Sequence, residues 1–401
     1  MNPPRGSVRT GVESLRAYHV RIPLKKKISH ASHTRTDSDN VVVACRLTDG
    51  TVGYGEGVPR DYVTGETIQT SLELLRQCDW SILADPPSDF REAVERAGSF
   101  TMPSVAGDDR HCVGNAARCA VEMAYLDAFG RRFGQSLTLL AGELAECAPL
   151  FELQKRCRYS GAITSKRTLG REKLSAWKMW LGRFKHCKIK VGTEGQNDPE
   201  RLRVFRGILG DRMDFRVDAN EAWTPENVEQ KIRELEPYGI TAVEQPVPHE
   251  QVLCLRDVRR RIRTPIMHDE SLCSWQDAEK AIADETCDLF NLRISKCGGL
   301  IPTLRLAALA NENGLGYQLG CQIGETGILS AAGRAIACSI KGIRYLEGSY
   351  DHFLVRERLT KENLTFEWRG IADVLPGPGL GITVEPARLA SVTIAEEVLF
   401  G

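Results

Sequence analysis

The sequence has no run of about eighteen consecutive apolar residues, no apolar leader, no cysteines spaced C-x-x-C and no surplus of charge of either sign. A membrane span needs the first and a secretory signal the second, so a cytoplasmic protein with no membrane partner is expected. Lys plus Arg and Asp plus Glu each number 53, and no basic arm or stripe marks the chain for nucleic acid. The thirteen cysteines are odd in number and scattered from Cys45 to Cys338, which argues for reduced core residues rather than a disulfide frame or a zinc site. No G-x-G-x-x-G follows any strand-like segment, so nothing marks a dinucleotide site.

What is present is enough for one large domain or two unequal ones: 401 residues, 42% hydrophobic and 26% charged. Up to about residue 145 strands precede helices. Residues 14–24 alternate like a strand, 41–47 and 51–54 flank Asp49-Gly50 as a hairpin, and 67–78, 90–97 and 115–133 carry apolar residues at helical spacing. That order belongs to the α+β class.

From residue 146 to 360 short apolar strands alternate with amphipathic helices. The strand segments are 159–163, 186–191, 213–218, 240–244, 265–269, 288–294, 315–319 and 342–346. Asp198-Pro199, Thr224-Pro225 and Ser274 supply helix caps, and Leu202, Phe205 and Leu209, like Val228, Ile232 and Leu235, form faces that would lie on a sheet. Eight such units point to an α/β barrel of TIM type, although a doubly wound open sheet shares the same local pattern. The tail, 361–401, is too short for a core of its own and is expected to return to the first domain.

Charge collects at the strand ends, where a barrel builds its chemistry. Lys188 and Lys190 close one strand, Asp218 the next, then Glu244, then Asp269, and Lys296 follows, each one strand-helix unit on from Lys190. Any one carboxylate there could be a solvated ion pair. Three in consecutive register would converge, and like charge of that density calls for a cation; all-oxygen ligands suit Mg²⁺, with Mn²⁺ as a substitute. Alternation sends Lys188 and Lys190 to the same side of their strand, and Lys296 lies half a turn of an eight-strand ring from Lys190. Two amines would then face each other across a metal-bound carboxylate substrate, the geometry for removing and returning its α-proton through a stabilised enediolate.

These residues carry a resemblance. The segments Asp49-Gly-Thr-Val-Gly-Tyr-Gly-Glu-Gly57, Val217-Asp-Ala-Asn220, Val243-Glu-Gln-Pro-Val-Pro248, Asp269-Glu-Ser271, Ile294-Ser-Lys-Cys-Gly-Gly-Leu300 and Pro376-Gly-Pro-Gly-Leu-Gly381, in this order, resemble the enolase superfamily in its muconate lactonising enzyme (muconate cycloisomerase) subgroup. The resemblance implies a modified (β/α)₇β TIM barrel at 146–360 under an α+β capping domain at 1–145, completed by 361–401. It implies Asp218, Glu244 and Asp269 as Mg²⁺ ligands, Lys190 and Lys296 as the acid/base pair, Lys188 as an electrostatic helper near the substrate carboxylate, and Asn220 and Glu270 in support.

Two capping loops, about 25–37 and 55–64, would offer His30, His33 and Tyr62 to substrate. In Gly320-Cys-Gln-Ile-Gly-Glu-Thr-Gly327, Cys321 would line the pocket, and Glu325 would either order Lys296 or Lys190 or bond only to backbone. Lysines in place of a His-Asp pair argue against the mandelate racemase subgroup, and His268 is expected to point away from the site. Dipeptide epimerases of the subgroup carry Asp-x-Asp after the last strand, whereas this chain has Glu347-Gly-Ser349. Glu347 can still pair with a cation, but N-blocked amino acids, muconate-like diacids and hydroxy acids become the expected substrates.

The function implied is a Mg²⁺-dependent isomerase of a small carboxylate: a racemase or epimerase of an N-substituted amino acid, or a muconate-type cycloisomerase. The alternatives are a dehydratase or o-succinylbenzoate-synthase-like β-elimination, and an inactive barrel kept as a scaffold. A homo-oligomer is implied as well.

Overall fold

Alternating apolar residues draw the N-terminal segment into an antiparallel sheet of β1 (Val12–Ser29), β2 (Thr34–Leu47) and β3 (Val52–Gly57). The computed structural model describes residues 10–29, 34–165 and 168–401. Gly50, at φ 89°, turns β2 into β3, as the Asp-Gly pair requires. The three helices expected in this part are Ile68–Arg76, Phe90–Ser99 and Asn115–Phe133.

The glycines of β3 have a packing reason. A Cβ on Gly53, Gly55 or Gly57 would stand 2.1, 2.1 and 1.9 Å from backbone atoms of Ala128, Ala120 and Ala116. Every second residue of the strand is thus bare so that its backbone rests directly on the Ala-rich helix Asn115–Phe133. Gly55→Ala is expected to lower stability by about 1–3 kcal/mol through overpacking. An unchanged urea midpoint would count against this contact.

After β4 (Arg156–Arg158) comes a parallel sheet in strictly sequential order: β5 (Gly161–Ile163), β6 (His186–Lys190), β7 (Asp214–Asp218), β8 (Ile240–Glu244), β9 (Ile266–His268), β10 (Leu289–Leu292), β11 (Gly316–Leu319) and β12 (Ile343–Leu346). The Ser160 N–H donates to Leu346 O at 2.7 Å and brings the two ends of the sheet together. That bond separates a curled barrel from the open doubly wound sheet, a choice local sequence pattern leaves undecided. The helices between the strands bury the expected faces, Leu202, Phe205 and Leu209 in Asp198–Leu209 and Val228, Ile232 and Leu235 in Val228–Leu235.

Two helix starts are corrected. Asn197, not Asp198, caps Asp198–Leu209, its Oδ1 accepting from Glu200 N at 3.1 Å, because Asp198 is drawn off to accept from Gly192 N at 2.7 Å and to pair with Arg201. A turn intervenes after Thr224-Pro225, so that helix begins only at Val228. Ser274 caps its helix as expected, accepting from Asp277 N at 3.1 Å.

In the tail, β13 (Ile371–Asp373) pairs with β4, and β14 (Thr393–Phe400) joins β1 to complete the order β14-β1-β2-β3. The thirteen cysteines are free, ten of them buried. Among the described residues no helix is long and apolar enough to cross a membrane.

Candidate active site

Parallel register places the carboxylates. Lys190 of β6 is the Cα partner of Asp218 on β7, which is the partner of Glu244 on β8; Asp269 follows β9 by one residue. All three carboxylates are fully buried. The chain bends sharply just past two of these tips: Asn220 and Gln245 sit in the left-handed region at φ 43° and 35°. Gln245 then ties two tips together, accepting from Asp269 N at 2.9 Å and donating to Ser271 Oγ at 2.6 Å.

Lys188 and Lys190 do share one side of β6. Both reach the same oxygen, Asp218 Oδ2, at 3.2 and 2.6 Å. Lys188 Nζ continues to Glu244 Oε1 at 3.3 Å and Glu347 Oε2 at 2.8 Å, while Lys190 donates to Asn220 Oδ1. Burial opposes the Lys188 charge, but Glu244, Glu347 and Asp218 together hold its ammonium well above the usual lysine range. Burial likewise opposes ionisation of Asp218, and Lys190 and Lys188 outweigh it, holding that carboxyl well below its usual range. Glu244 is pushed up by burial and by the Asp218 charge beside it.

Lys296 is fully buried on the far side of the triad. Its Nζ donates to Asp269 Oδ1 at 3.0 Å, Asp269 O at 2.6 Å and Asn291 O at 2.8 Å, and burial presses its pKa down. The capping domain holds its loop from behind. Asn115 Nδ2 donates to Lys296 O at 2.7 Å, and buried Glu122 accepts from Leu300 N and Ile301 N at the start of the next helix. A Cβ on Gly299 would stand 2.2 Å from Glu122 Oε2, so the Gly298-Gly299 pair is what lets that carboxylate in.

The expectation that the three carboxylates stay uncompensated without a metal is corrected by an arginine absent from the sequence reading. Arg293 pairs with Asp269 Oδ2 and approaches Glu244 Oε1 at 3.8 Å. Each neighbouring pair of acids is therefore bridged by a protein cation, Lys188 on one side and Arg293 on the other. Among the described residues no three His, Cys, Asp or Glu side chains already converge on a point where an ion would sit. The donor chemistry still fits a hard cation of the Mg²⁺ or Mn²⁺ kind: three buried carboxylates with no imidazole or thiolate among them, held where positive charge already bridges them.

Of the supporting groups, Asn220 Nδ2 donates to Glu270 Oε1 at 3.2 Å, and burial with the charges of Asp218, Glu221 and Glu244 pushes Glu270 up to about 8. Glu325 meets neither lysine; its Oε1 accepts from Gln322 N at 2.6 Å, and burial raises it to about 8. Cys321 faces Gly348, and burial with the charges of Glu325 and Glu347 lifts its thiol well above the usual range. Tyr62 packs at the rim against Val63, Cys112 and Cys273, with Arg35 over its ring at 5.5 Å. His30 and His33 lie outside the described residues. His268 is buried, and burial and the Lys296 charge lower it to about 3, which leaves it neutral.

Arg293 and Asn291 were visible in principle. Both are polar residues spaced by two in a segment otherwise read as a buried strand, and Asn291 Nδ2 donates to Glu244 Oε1 at 2.8 Å.

Comparison with known proteins identifies both domains. Residues 13–142 match the mandelate racemase / muconate lactonizing enzyme N-terminal domain, and residues 172–388 match the enolase C-terminal domain-like family. A hydrophobic dipeptide epimerase of Enterococcus faecalis is 30% identical over 341 residues, 82% of this chain and 88% of its own length. An N-succinyl-L-Arg/Lys racemase of Bacillus cereus is 26% identical over 393 residues, 97% of this chain and 99% of its own. The crystal structure of a dipeptide epimerase from Cytophaga hutchinsonii, complexed with Mg and D-Ala-L-Val, superposes with a TM-score of 0.81 at 24% identity, covering 97% of this chain and 99% of that one.

Proposed function

The chain belongs to the mandelate racemase / muconate lactonizing enzyme family of the enolase superfamily and is an isomerase-type enzyme, and from this premise we propose that it racemises or epimerises the α-carbon of an N-substituted amino acid. The observation that carries the reading is the placement of two amines. Lys190 and Lys296 bond to the two outer carboxylates of the triad, Asp218 and Asp269, from positions four strands apart in the eight-strand sheet.

A substrate whose α-carbon lies between them presents one face to each amine. One lysine, as the free amine, takes the α-proton onto Nζ, and the electron pair left on carbon delocalises into the substrate carboxylate. The opposite lysine, as the ammonium, returns a proton to the other face. Reversal exchanges the roles, so each stereoisomer is the other's product. Burial of Lys296 lowers the cost of its neutral form. Lys188, held as an ammonium, supplies positive charge toward the substrate carboxylate. Asp218, Glu244 and Asp269 would hold Mg²⁺, which, when bound, supplies Lewis acidity to that carboxylate.

The test is proton NMR in D₂O with Mg²⁺ and a panel of N-acetyl and N-succinyl amino acids and dipeptides. The expected result is loss of the α-proton signal from both stereoisomers, stopped by a chelator and restored by added Mg²⁺. An alkene signal in its place would assign β-elimination, and full retention across the panel would overturn the reading.

A further inference from the structure

Below the triad the barrel interior holds an arginine that the proposed proton transfer does not use. Arg216 is the Cα partner of Lys188 and lies two residues before Asp218 on the same side of β7. It is fully buried. Its guanidinium carbon lies 4.3 Å from the centre of the Tyr345 ring, Nη1 donates to Ser160 Oγ at 3.4 Å, and Nη2 pairs with Glu347 Oε1. The other oxygen of Glu347 is 2.8 Å from Lys188 Nζ.

Both oxygens of Glu347 are therefore taken by cations from within the barrel. Burial works against its charge, but Lys188 and Arg216 hold the carboxyl down at about 2, so it is ionised and its charge is already compensated from within the barrel. Among the described residues Glu347 is the one ion-pair partner of Arg216. A guanidinium this deep is strongly unfavourable once its counter-charge leaves. Glu347 cannot turn to a cation on the substrate without stranding Arg216 and weakening the hold on Lys188.

We propose that Arg216 is a positioning residue that sets substrate class: by engaging Glu347 from beneath, it denies that carboxylate to a substrate ammonium and selects acids whose nitrogen bears a neutral or anionic acyl group. This rests on the racemase reading and sharpens it. The last strand tip carries a carboxylate in sequence, yet in the fold its charge is spent inward.

The test compares two derivatives of whichever amino acid the exchange screen identifies, N-acetyl and N-glycyl, which differ by one ammonium group. In wild type, kcat/KM for exchange is expected to favour N-acetyl at least tenfold. Arg216→Met releases Glu347 Oε1 while Lys188 keeps Oε2, and is expected to move that ratio tenfold or more toward N-glycyl, whereas Arg216→Lys, which keeps the charge, moves it less than threefold. Glu347→Gln is expected to leave the ratio within threefold, because the carboxylate is not available to substrate in wild type.

Wild-type preference for N-glycyl would overturn the proposal. So would an equal fall on both derivatives in Arg216→Met, the mark of a merely structural role, or selective loss of the N-glycyl substrate in Glu347→Gln. If Arg216→Met fails to fold, the wild-type preference and Arg216→Lys still decide. The same ratio is read by calorimetry from equilibrium binding of N-acetyl-L-leucine and N-glycyl-L-leucine, a pair fixed independently of the exchange screen. Absence of exchange therefore sinks the racemase reading while leaving this one measurable.

Discussion

Alanine at Lys190 or Lys296 is expected to lower racemisation by about 10²–10⁴-fold, the range that a positioned general acid or base contributes. The two variants should differ in kind. Each lysine addresses one face of the α-carbon, so Lys296→Ala keeps deuterium exchange on the stereoisomer whose proton faces Lys190, and Lys190→Ala keeps exchange on the other. Following each pure stereoisomer by NMR reads the faces separately. Loss of exchange on the same face in both variants, or turnover intact after removal of one lysine, would reduce the pair to one base and one bystander. A structural difference should accompany the kinetic one. Lys296 is fully buried and gives its three donors to Asp269 and Asn291, whereas the Lys190 side chain is 21% exposed with bonds to Asp218 and Asn220. The Lys296 variant is therefore the less stable of the two.

Asp269→Asn is expected to cost about 3–5 kcal/mol of stability in chelator-treated protein, the range for breaking a buried ion pair by neutralising one partner. One carboxylate serves two buried cations here, Arg293 through Oδ2 and Lys296 through Oδ1, and the amide that replaces it carries no charge for either. Asp39→Asn is the contrast. That carboxylate, 30% exposed, pairs with His19 at 2.7 Å and with Arg21, 49% exposed, at 2.9 Å, and pairs in such a partly solvated setting contribute about 0–1 kcal/mol each. Urea midpoints for the two variants measure the difference. Equal, small losses would mean that the Asp269 cluster is well enough hydrated to do without its charge.

The sites of chemistry were legible because strand ends in a sequential barrel are spaced by one strand-helix unit, and each carries a charged residue in that register. Asp218, Glu244, Asp269 and the three lysines stand out on that ground alone. The helix Asn115–Phe133 was legible from its apolar spacing, and the β2-β3 hairpin from Asp49-Gly50. Arg216 and Arg293 were not, since each sits inside an apolar run where only inward alternation distinguishes it. Glu347 misleads on its own: in sequence it is a carboxylate at a strand tip, and its partners, Arg216 and Lys188, come from strands on the far side of the chain's order.

The sequence by itself determined which residue types stand at the ends of the strands, because alternation, helical spacing and turn chemistry act over a few residues and leave their marks in order along the chain. Tertiary structure alone decided how those charges are shared. Ser160 meeting Leu346 closes the sheet, Glu122 of the capping domain reaches through Gly299 to hold the Lys296 loop, and Arg216 claims Glu347 from below. The physical reason is range: a buried charge finds its partner by distance in space, and Glu122 alone finds one 179 positions away.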